Sequence, residues 1–135
     1  MSNYHKPLPQ TTPWTQPFWD AAKEHRLLAQ HCKECDHTVF YPKLFCPYCY
    51  SETLDWREIS GEGEIYSFTV VQQHPPSAFQ NDLPYVVAIV RLKDGPQMLT
   101  NIVNCDPEKV HCGMRVTPAF DDVTDDFTLV KFRPA

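Results

Sequence analysis

Two closely spaced cysteine pairs constrain this chain more than any other feature. They are C-x2-C motifs at residues 32–35 and 46–49, and ten residues separate them. A two-residue gap lets both thiolates of one tight turn reach the same ion, and two such turns facing each other complete a tetrahedron of sulfurs. The spacing therefore predicts a zinc ribbon whose metal ligands are Cys32, Cys35, Cys46 and Cys49.

The second pair alone, CPYC, also matches the active-site sequence of a glutaredoxin. A redox dithiol of that kind lies between a strand and a long helix, whereas "YSETLDWREIS" after Cys49 has the composition of a strand. Zinc is the favoured prediction, with a redox dithiol and a rubredoxin-like iron site as alternatives. Four thiolates close the coordination shell, so the predicted role is structural. His31 and His37 flank the first pair and are interpreted as bystanders.

Charge and composition narrow the class of protein further. The chain has 135 residues, of which 42% are hydrophobic, and a formal net charge of -5. This length suits one core with a small added module. The N-terminal sequence lacks the pattern of a secretory signal, and the run "YVVAIV" is too short to cross a bilayer. We therefore expect a cytoplasmic protein without a membrane span, in which paired cysteines bind metal instead of forming disulfides.

The segment before the first cysteine pair has a helical pattern. Trp14, Phe18, Ala21, His25 and Leu28 recur at spacings of three and four, which predicts an amphipathic helix over Gln16 to Leu28. Thr15 is a candidate cap, and Pro17 is tolerated in the first turn. Phe18 and Trp19 either pack on the chain's own core or dock on another subunit.

After the cysteines the pattern changes to that of β-strands. "GEGEIYSFTVVQQ", "YVVAIVRLK", "QMLTNIVN", "RVTPAF" and "FTLVKFRP" are five strand candidates. Five short strands predict a small closed barrel of the OB-fold type, and Pro118 is expected at an edge or an end of its strand. The predicted fold is mainly β, with an N-terminal arm and helix at 1–28, a zinc ribbon at 29–57 and the OB-fold at 58–135.

Three local features leave open questions. The loop at residues 74–84 contains Phe79 and is either a binding element or disordered. Cys105, His111 and Cys112 suggest a thiol nucleophile with a base, but adjacent residues of an extended segment point to opposite faces, so no catalytic site is predicted. Tyr50 follows the second knuckle, where glycine is favoured, and predicts a slightly altered turn there.

The whole pattern resembles a known family. "PFWDAAKEHRLLAQHCKECDHTVFYPKLFCPYCYS" and "PYVVAIVRLKDGPQMLTNIVNCDPE" are similar to the bacterial and archaeal family called domain of unknown function thirty-five. The resemblance implies an N-terminal helix, a rubredoxin-like zinc ribbon and an OB-fold, in proteins that form complexes with thiolase-superfamily enzymes and are linked to acyl-CoA metabolism. It places the zinc ligands at the same four cysteines and implies no catalytic residue.

The function predicted from these features is that of a non-catalytic subunit. It would bind and support a thiolase-superfamily enzyme acting on acyl-CoA and help to form the acyl-CoA pocket, with Phe18, Trp19 and Phe79 as candidate contacts. Residues 60–135 hold six basic and ten acidic side chains, so a CoA thioester would be bound together with the partner. The alternative is a single-stranded nucleic-acid-binding protein using Tyr66 and Phe68, for which the sequence reveals no basic groove.

Overall fold

The structure is a computed structural model that describes Tyr4 and residues 6–135. It contains one α-helix, a three-stranded sheet and a closed five-stranded barrel. The mainly-β fold predicted from the sequence is confirmed. In the described part of the chain, neither the α-helix nor the short 3-10 helices have the length and hydropathy that crossing a membrane requires.

Helix α1 spans Gln16–Lys23 and is shorter than predicted. Thr15 is its N-cap residue, but the Thr15 hydroxyl accepts from the Thr12 amide instead of capping the helix. The chain leaves the helix at His25, whose φ is +59°. The predicted extension to Leu28 is wrong because Leu28 pairs with Glu58 in a sheet, and these ladder hydrogen bonds override the helical spacing.

The three-stranded sheet has the order β2-β1-β3, and both pairings are antiparallel. Its strands are β1 Leu27–Cys32, β2 Thr38–Val39 and β3 Leu54–Ile59. The strand predicted after Cys49 is therefore confirmed as β3. Strand β1 lies in the centre and is almost wholly buried, so it supports both cysteine turns.

The barrel closes in the order β4-β5-β6-β8-β7, which confirms the predicted five-stranded OB-fold. Its strands are β4 Gly63–Val71, β5 Tyr85–Leu92, β6 Gln97–Ile102, β7 Arg115–Asp122 and β8 Thr128–Pro134. The seam between β6 and β8 is formed by one parallel pair, Ile102 with Phe132. The other strand pairs are antiparallel.

The barrel core also contains residues from outside the barrel. Alternate residues of β5 point inward, as expected for a strand with one buried face, and Phe132 is fully buried at the centre. Phe18 and Ala22 of α1 and Leu27 of β1 belong to the same core cluster. The helix and the three-stranded sheet are therefore anchored on the barrel through shared apolar packing.

The junction between the sheet and the barrel is tightly packed at Gly61. This residue has a φ of +76°, and a Cβ placed there would lie 2.4 Å from Cγ of Pro118 and 2.9 Å from Cδ2 of Leu27. Pro118 lies in the part of β7 beyond its short pairing with β4, which involves only residues 115 and 116. Among the described residues its strand partner therefore lies in β8 alone, and the predicted edge position is confirmed.

A polar contact ties the end of α1 to β7. Nε2 of His25 lies 3.0 Å from both carboxylate oxygens of Asp122, and the His25 ring stacks on Phe120 at a centroid distance of 5.1 Å. The Thr128 hydroxyl also donates to this carboxylate. Donation from Thr128, and then from His25, holds the pKa of Asp122 below its usual value.

Replacing this carboxylate should make the free energy of unfolding less dependent on pH. A group whose folded-state pKa is lowered stabilises the fold above its unfolded pKa, and this contribution is lost as the pH falls through the folded pKa. We expect Asp122→Asn to be less stable than the parent protein at neutral pH and the difference to vanish in strong acid. Urea denaturation at a series of pH values measures it.

Asp125→Asn is the matched control because it removes the same charge from an exposed position in the neighbouring turn. The two variants are compared at each pH, since acid also protonates thiolate ligands. An equal loss of stability in both variants would show that the Asp122 contacts contribute nothing.

Candidate metal centre and adjoining surfaces

The four cysteines of the two motifs come together at the end of the three-stranded sheet. The Sγ atoms of Cys32, Cys35, Cys46 and Cys49 all lie within 4.8 Å of one another. Two of the separations, Cys32 to Cys49 and Cys35 to Cys46, are 3.5 Å. A tetrahedral zinc with Zn–S bonds of about 2.3 Å requires sulfurs about 3.8 Å apart, and a disulfide requires about 2.05 Å. The arrangement therefore fits zinc and excludes disulfides between these sulfurs as they stand.

The two cysteine turns have the same backbone geometry. In the first, the Asp36 amide donates to the Cys32 carbonyl at 2.9 Å, and in the second the Tyr50 amide donates to the Cys46 carbonyl at 2.8 Å. Asp36 and Tyr50 have φ values of +65° and +63°. The expected distortion of the second turn is therefore wrong. Tyr50 adopts the left-handed conformation because the turn requires it, at a cost of about 1–2 kcal/mol for a residue with a Cβ.

The pKa values of two clustered thiols are shifted in opposite directions. Backbone donation, chiefly from the Cys35 amide, lowers the pKa of the Cys32 thiol to about 7. The His37 amide lowers the pKa of Cys35, but burial and the thiols of Cys46, Cys32 and Cys49 outweigh it and raise that pKa to about 12. Four thiolates at this separation repel one another, so complete ionisation needs a bound cation.

The two histidines beside the first motif lie outside the four-sulfur cluster. Nδ1 of His37 lies 3.1 Å from Sγ of Cys35, and its ring stacks on Tyr48 at 4.1 Å. His31 is buried, with Nε2 against Asp36 and Nδ1 3.5 Å from Oδ1 of Asp55. His37 thus contacts a ligand, and His31 packs beneath the turn.

A buried glutamine fixes the loop that joins the two motifs. The Gln30 side chain donates to the Lys43 carbonyl at 2.9 Å and accepts from the Lys43 amide at 2.7 Å. Because both polar ends of this buried side chain are satisfied by one backbone position, the loop is held in one place. This bond positions the residues that follow, including the start of the second motif.

Four large apolar or aromatic side chains project from that loop and from the second motif. We name them the knuckle patch, and their exposed fractions are 61%, 47%, 60% and 75% for Leu44, Phe45, Tyr48 and Tyr50. The rings of Phe45 and Tyr50 lie 6.2 Å apart. Exposed apolar patches mark protein or membrane interaction sites or ligand grooves, so the knuckle patch is a candidate docking surface.

An apolar groove of about 370 Å³ lies between α1, the start of the loop and strands β6 and β8. Phe18 and Trp19 line it, and their rings are 5.0 Å apart in an edge-to-face arrangement. Phe18 is only 6% exposed and belongs to the barrel core cluster, whereas Trp19 is half-buried and packs against that cluster. Tyr41 borders the groove and accepts a hydrogen bond from the Leu99 amide at 2.7 Å.

The remaining candidates from the sequence lie elsewhere. Phe79 belongs to a 3-10 helix at Ser77–Asp82, where it is half-buried and 5.9 Å from the Tyr85 ring. Nδ1 of His111 donates to the Lys109 carbonyl at 3.1 Å. Cys105 is half-buried, Cys112 is exposed, and the His111 contact gives neither thiol a base.

Sequence reasoning missed the knuckle patch. A signal was present, because the ribbon core is too small to hold the apolar residues that flank the cysteines. Its buried residues are Cys32, Val39 and Cys46, with Cys35 and Leu54 packed against them. Apolar side chains in "KLFCPYCY" beyond that core have no interior to enter and must face outward.

A four-sulfur ribbon joined to a closed five-stranded barrel defines a protein of the zinc-ribbon and OB-fold class. Two family models match the chain: the rubredoxin-like zinc ribbon domain of ChsH2 over residues 19–55 and its C-terminal OB-fold domain over residues 56–121. A DUF35 domain-containing scaffold protein of Methanocaldococcus jannaschii is 36% identical over 111 residues, which cover 80% of this chain and 77% of that protein. The chain therefore belongs to the DUF35 family.

Two further similar proteins have names that refer to enzymes. A probable enoyl-CoA hydratase alpha subunit of Thermomonospora curvata is 40% identical over 119 residues. The match covers 87% of this chain, which spans only 37% of the length of that relative. A chain in the solved structure of an Ltp2-ChsH2(DUF35) aldolase superposes with a TM-score of 0.84 at 35% identity and covers 94% of this chain and 98% of that chain.

Proposed function

We propose that this chain is a non-catalytic, zinc-containing subunit that binds and supports an enzyme acting on acyl-CoA. The observation that carries this proposal is the similarity, over almost the full length of both chains, to a DUF35 chain of an aldolase complex. The relative named as an enoyl-CoA hydratase subunit supports acyl-CoA as the substrate class. We further propose that the partner enzyme belongs to the thiolase superfamily.

The geometry of the metal centre favours a supporting role. Four thiolate ligands leave zinc no open position at which water or a carbonyl could be activated. The cysteines instead fix two turns, and those turns present the knuckle patch to solvent. A rigid scaffold that displays apolar side chains suits protein docking, because pre-ordered contacts lose little conformational entropy on binding.

The apolar groove is the proposed site for the acyl part of a CoA thioester. Most of its lining is apolar, and Phe18 and Trp19 form one wall. Its volume of about 370 Å³ lies at the lower end of the range for ligand pockets, about 300–1,000 Å³. An acyl group would therefore be shared with the partner subunit. Phe79 remains a second candidate contact at the 3-10 helix.

Co-purification from the native source tests the proposal. We expect a thiolase-superfamily polypeptide to elute with this chain and to be identified by mass spectrometry. Recovery of a hydratase subunit alone would refute the thiolase assignment and keep the acyl-CoA role. Recovery of nucleic acid without an enzyme would favour the alternative of a single-stranded nucleic-acid-binding protein.

The knuckle patch should contribute a large share of the binding free energy. Truncation of a central interface residue costs about 2 kcal/mol or more, which is about thirtyfold in Kd. We therefore expect Leu44→Ser and Tyr48→Ser each to weaken binding to the recovered enzyme by that amount. Titration calorimetry of the purified subunits measures the change.

Tyr66→Ser provides the matched control, because Tyr66 is also half exposed, at 50%, but lies on the barrel. Zinc content and circular dichroism of each variant report whether the ribbon is intact. If Tyr66→Ser weakens binding as much as Tyr48→Ser does, the interface lies on another surface.

A further inference from the structure

A groove at one end of the barrel gathers most of the barrel's positive charge. It has a volume of about 730 Å³ and crosses the region where β4 and β7 begin and β5 and β8 end. Six basic side chains occur in residues 60–135, and four of them line this groove: Arg91, Lys93, Arg115 and Arg133. Because the chain as a whole carries a net charge of -5, this concentration departs from its general character.

The three arginines have no acidic partner in the described part of the chain. The strand register places Glu64 beside both Arg91 and Arg115, at a spacing that permits cross-strand ion pairs. Even so, no described carboxylate oxygen lies within 4.0 Å of these guanidinium groups or that of Arg133. By contrast, Arg26 just before β1 and Arg57 on β3 both have carboxylate partners.

An aromatic ring holds one of these arginines in position. The Arg91 guanidinium lies 4.4 Å from the centroid of the Tyr66 ring, and Tyr66 is half exposed. A stacked guanidinium keeps its edge donors free. Arg91 is therefore oriented by Tyr66 while its N–H groups remain available to an anion.

We propose that this groove binds a phosphate-bearing small molecule, with Arg91, Arg115 and Arg133 contacting the phosphoryl oxygens. The planar fork of arginine matches phosphate with two parallel hydrogen bonds. The volume falls within the range of about 300–1,000 Å³ for small-molecule pockets. This inference goes beyond the proposed function, because it concerns a ligand of this chain without its partner.

The acidic residues of the groove favour a sugar phosphate over an acidic polypeptide. Glu62 and Glu64 are also among the lining residues, and they would repel a segment of continuous negative charge. A sugar phosphate presents an anion to the guanidinium groups and hydroxyl donors to the carboxylates. A nucleic-acid strand would need a longer basic track than this groove supplies.

Titration calorimetry of the purified full chain at low ionic strength tests the proposal. The probes are inorganic pyrophosphate, ADP, adenosine and a short single-stranded oligonucleotide. We expect pyrophosphate and ADP to bind and adenosine not to bind. Tighter binding of ADP than of pyrophosphate would assign part of the site to the nucleoside, whereas equal binding would assign it to the phosphate groups. Both results support the proposal.

Two outcomes of that titration would overturn it. One is that neither phosphate compound binds at millimolar concentration. The other is that the oligonucleotide binds far more tightly than ADP, which would make the groove part of a nucleic-acid surface. Neither outcome would bear on the proposed enzyme partner, because binding of that partner is measured separately by co-purification.

Substitutions locate the binding to this groove. Loss of a charged hydrogen-bond donor weakens binding by about ten- to a hundredfold, and we expect this from Arg115→Gln and from Arg91→Gln. Glu64→Gln should strengthen phosphate binding, since it removes a negative charge from the groove. Lys109→Gln is the control, because it removes a basic charge of the barrel outside the groove.

Circular dichroism of each variant checks that the barrel is folded. If Lys109→Gln weakens phosphate binding as much as Arg115→Gln does, the effect is one of overall charge and the site is refuted. If Glu64→Gln weakens binding in a folded protein, the proposed orientation of the phosphate is also refuted.

Discussion

Loss of zinc should unfold the ribbon and leave the barrel folded. A structural zinc site contributes about 10–16 kcal/mol in small zinc-finger peptides at neutral pH, which equals or exceeds the total stability of about 5–15 kcal/mol of an ordinary domain. The metal end of the ribbon has little else to hold it, since Val39 and Leu54 are the only described residues of its small cluster that are not cysteines. The barrel has a much larger core, which also includes Leu27 at the other end of the sheet.

The Cys46→Ala substitution tests this prediction by removing one zinc ligand. Cys46 is fully buried within the cluster, and its loss leaves three thiolates and an open coordination position. We expect metal content to fall and hydrogen exchange to become fast in residues 32–54, which surround the cysteines, while the amides of β5 and β8 remain protected. Chelation of zinc from the parent protein should give the same pattern.

Cys112→Ala is the matched control, because Cys112 is exposed and lies outside the cluster. This variant should retain its zinc and its exchange pattern. Freshly isolated protein without stoichiometric metal, in which the Cys46 and Cys49 thiols cycle between oxidised and reduced forms, would contradict the zinc-ribbon interpretation.

Gly61→Ala should destabilise the contact between the ribbon and the barrel. The left-handed φ of +76° costs about 1–2 kcal/mol for a residue with a Cβ. The added methyl would also overlap Pro118 and Leu27, and overpacking of a tight site costs about 1–3 kcal/mol. Together these effects predict a loss of about 2–5 kcal/mol in the free energy of unfolding, measurable by urea denaturation.

Gly113→Ala separates the two contributions. Gly113 also has a positive φ, +88°, but a Cβ there would meet nothing within 4 Å. This control should therefore lose only the backbone contribution of about 1–2 kcal/mol. Equal losses in both variants would mean that the Gly61 contact with Pro118 relaxes without cost and that the junction is loosely packed.

The metal centre could be predicted from the sequence because its information is local. Both ligands of each motif lie within four residues, and the chemistry of a thiolate pair dictates the turn. The barrel could also be predicted, since its strands alternate and its turns contain glycine and proline. The extent of α1 could not be predicted. The helical spacing continues to Leu28, but Leu27 and Leu28 form long-range pairs with residues of β3 in the sheet.

The basic groove combines residues that are distant in the chain. Arg91, Arg115 and Arg133 are separated by about twenty residues each, and only the strand order β5-β4-β7-β8 places them in one groove. The net negative charge of the whole sequence gave no indication of this local positive charge. Tyr50 shows the converse error, because a local preference for glycine predicted a distorted turn where the metal-binding geometry in fact imposes a regular one.

The seam between β6 and β8 is the barrel strand pairing with the fewest residue pairs in the described part of the chain. Along this seam the strands are joined partly by side chains, since the Thr100 hydroxyl donates to the Val130 carbonyl at 3.1 Å and the Leu99 amide reaches out to Tyr41 of the ribbon loop. The apolar groove lies over this seam. A ligand that widened this groove would therefore disturb a single parallel pair and the hydrogen bond between Leu99 and Tyr41, and would leave the antiparallel ladders intact.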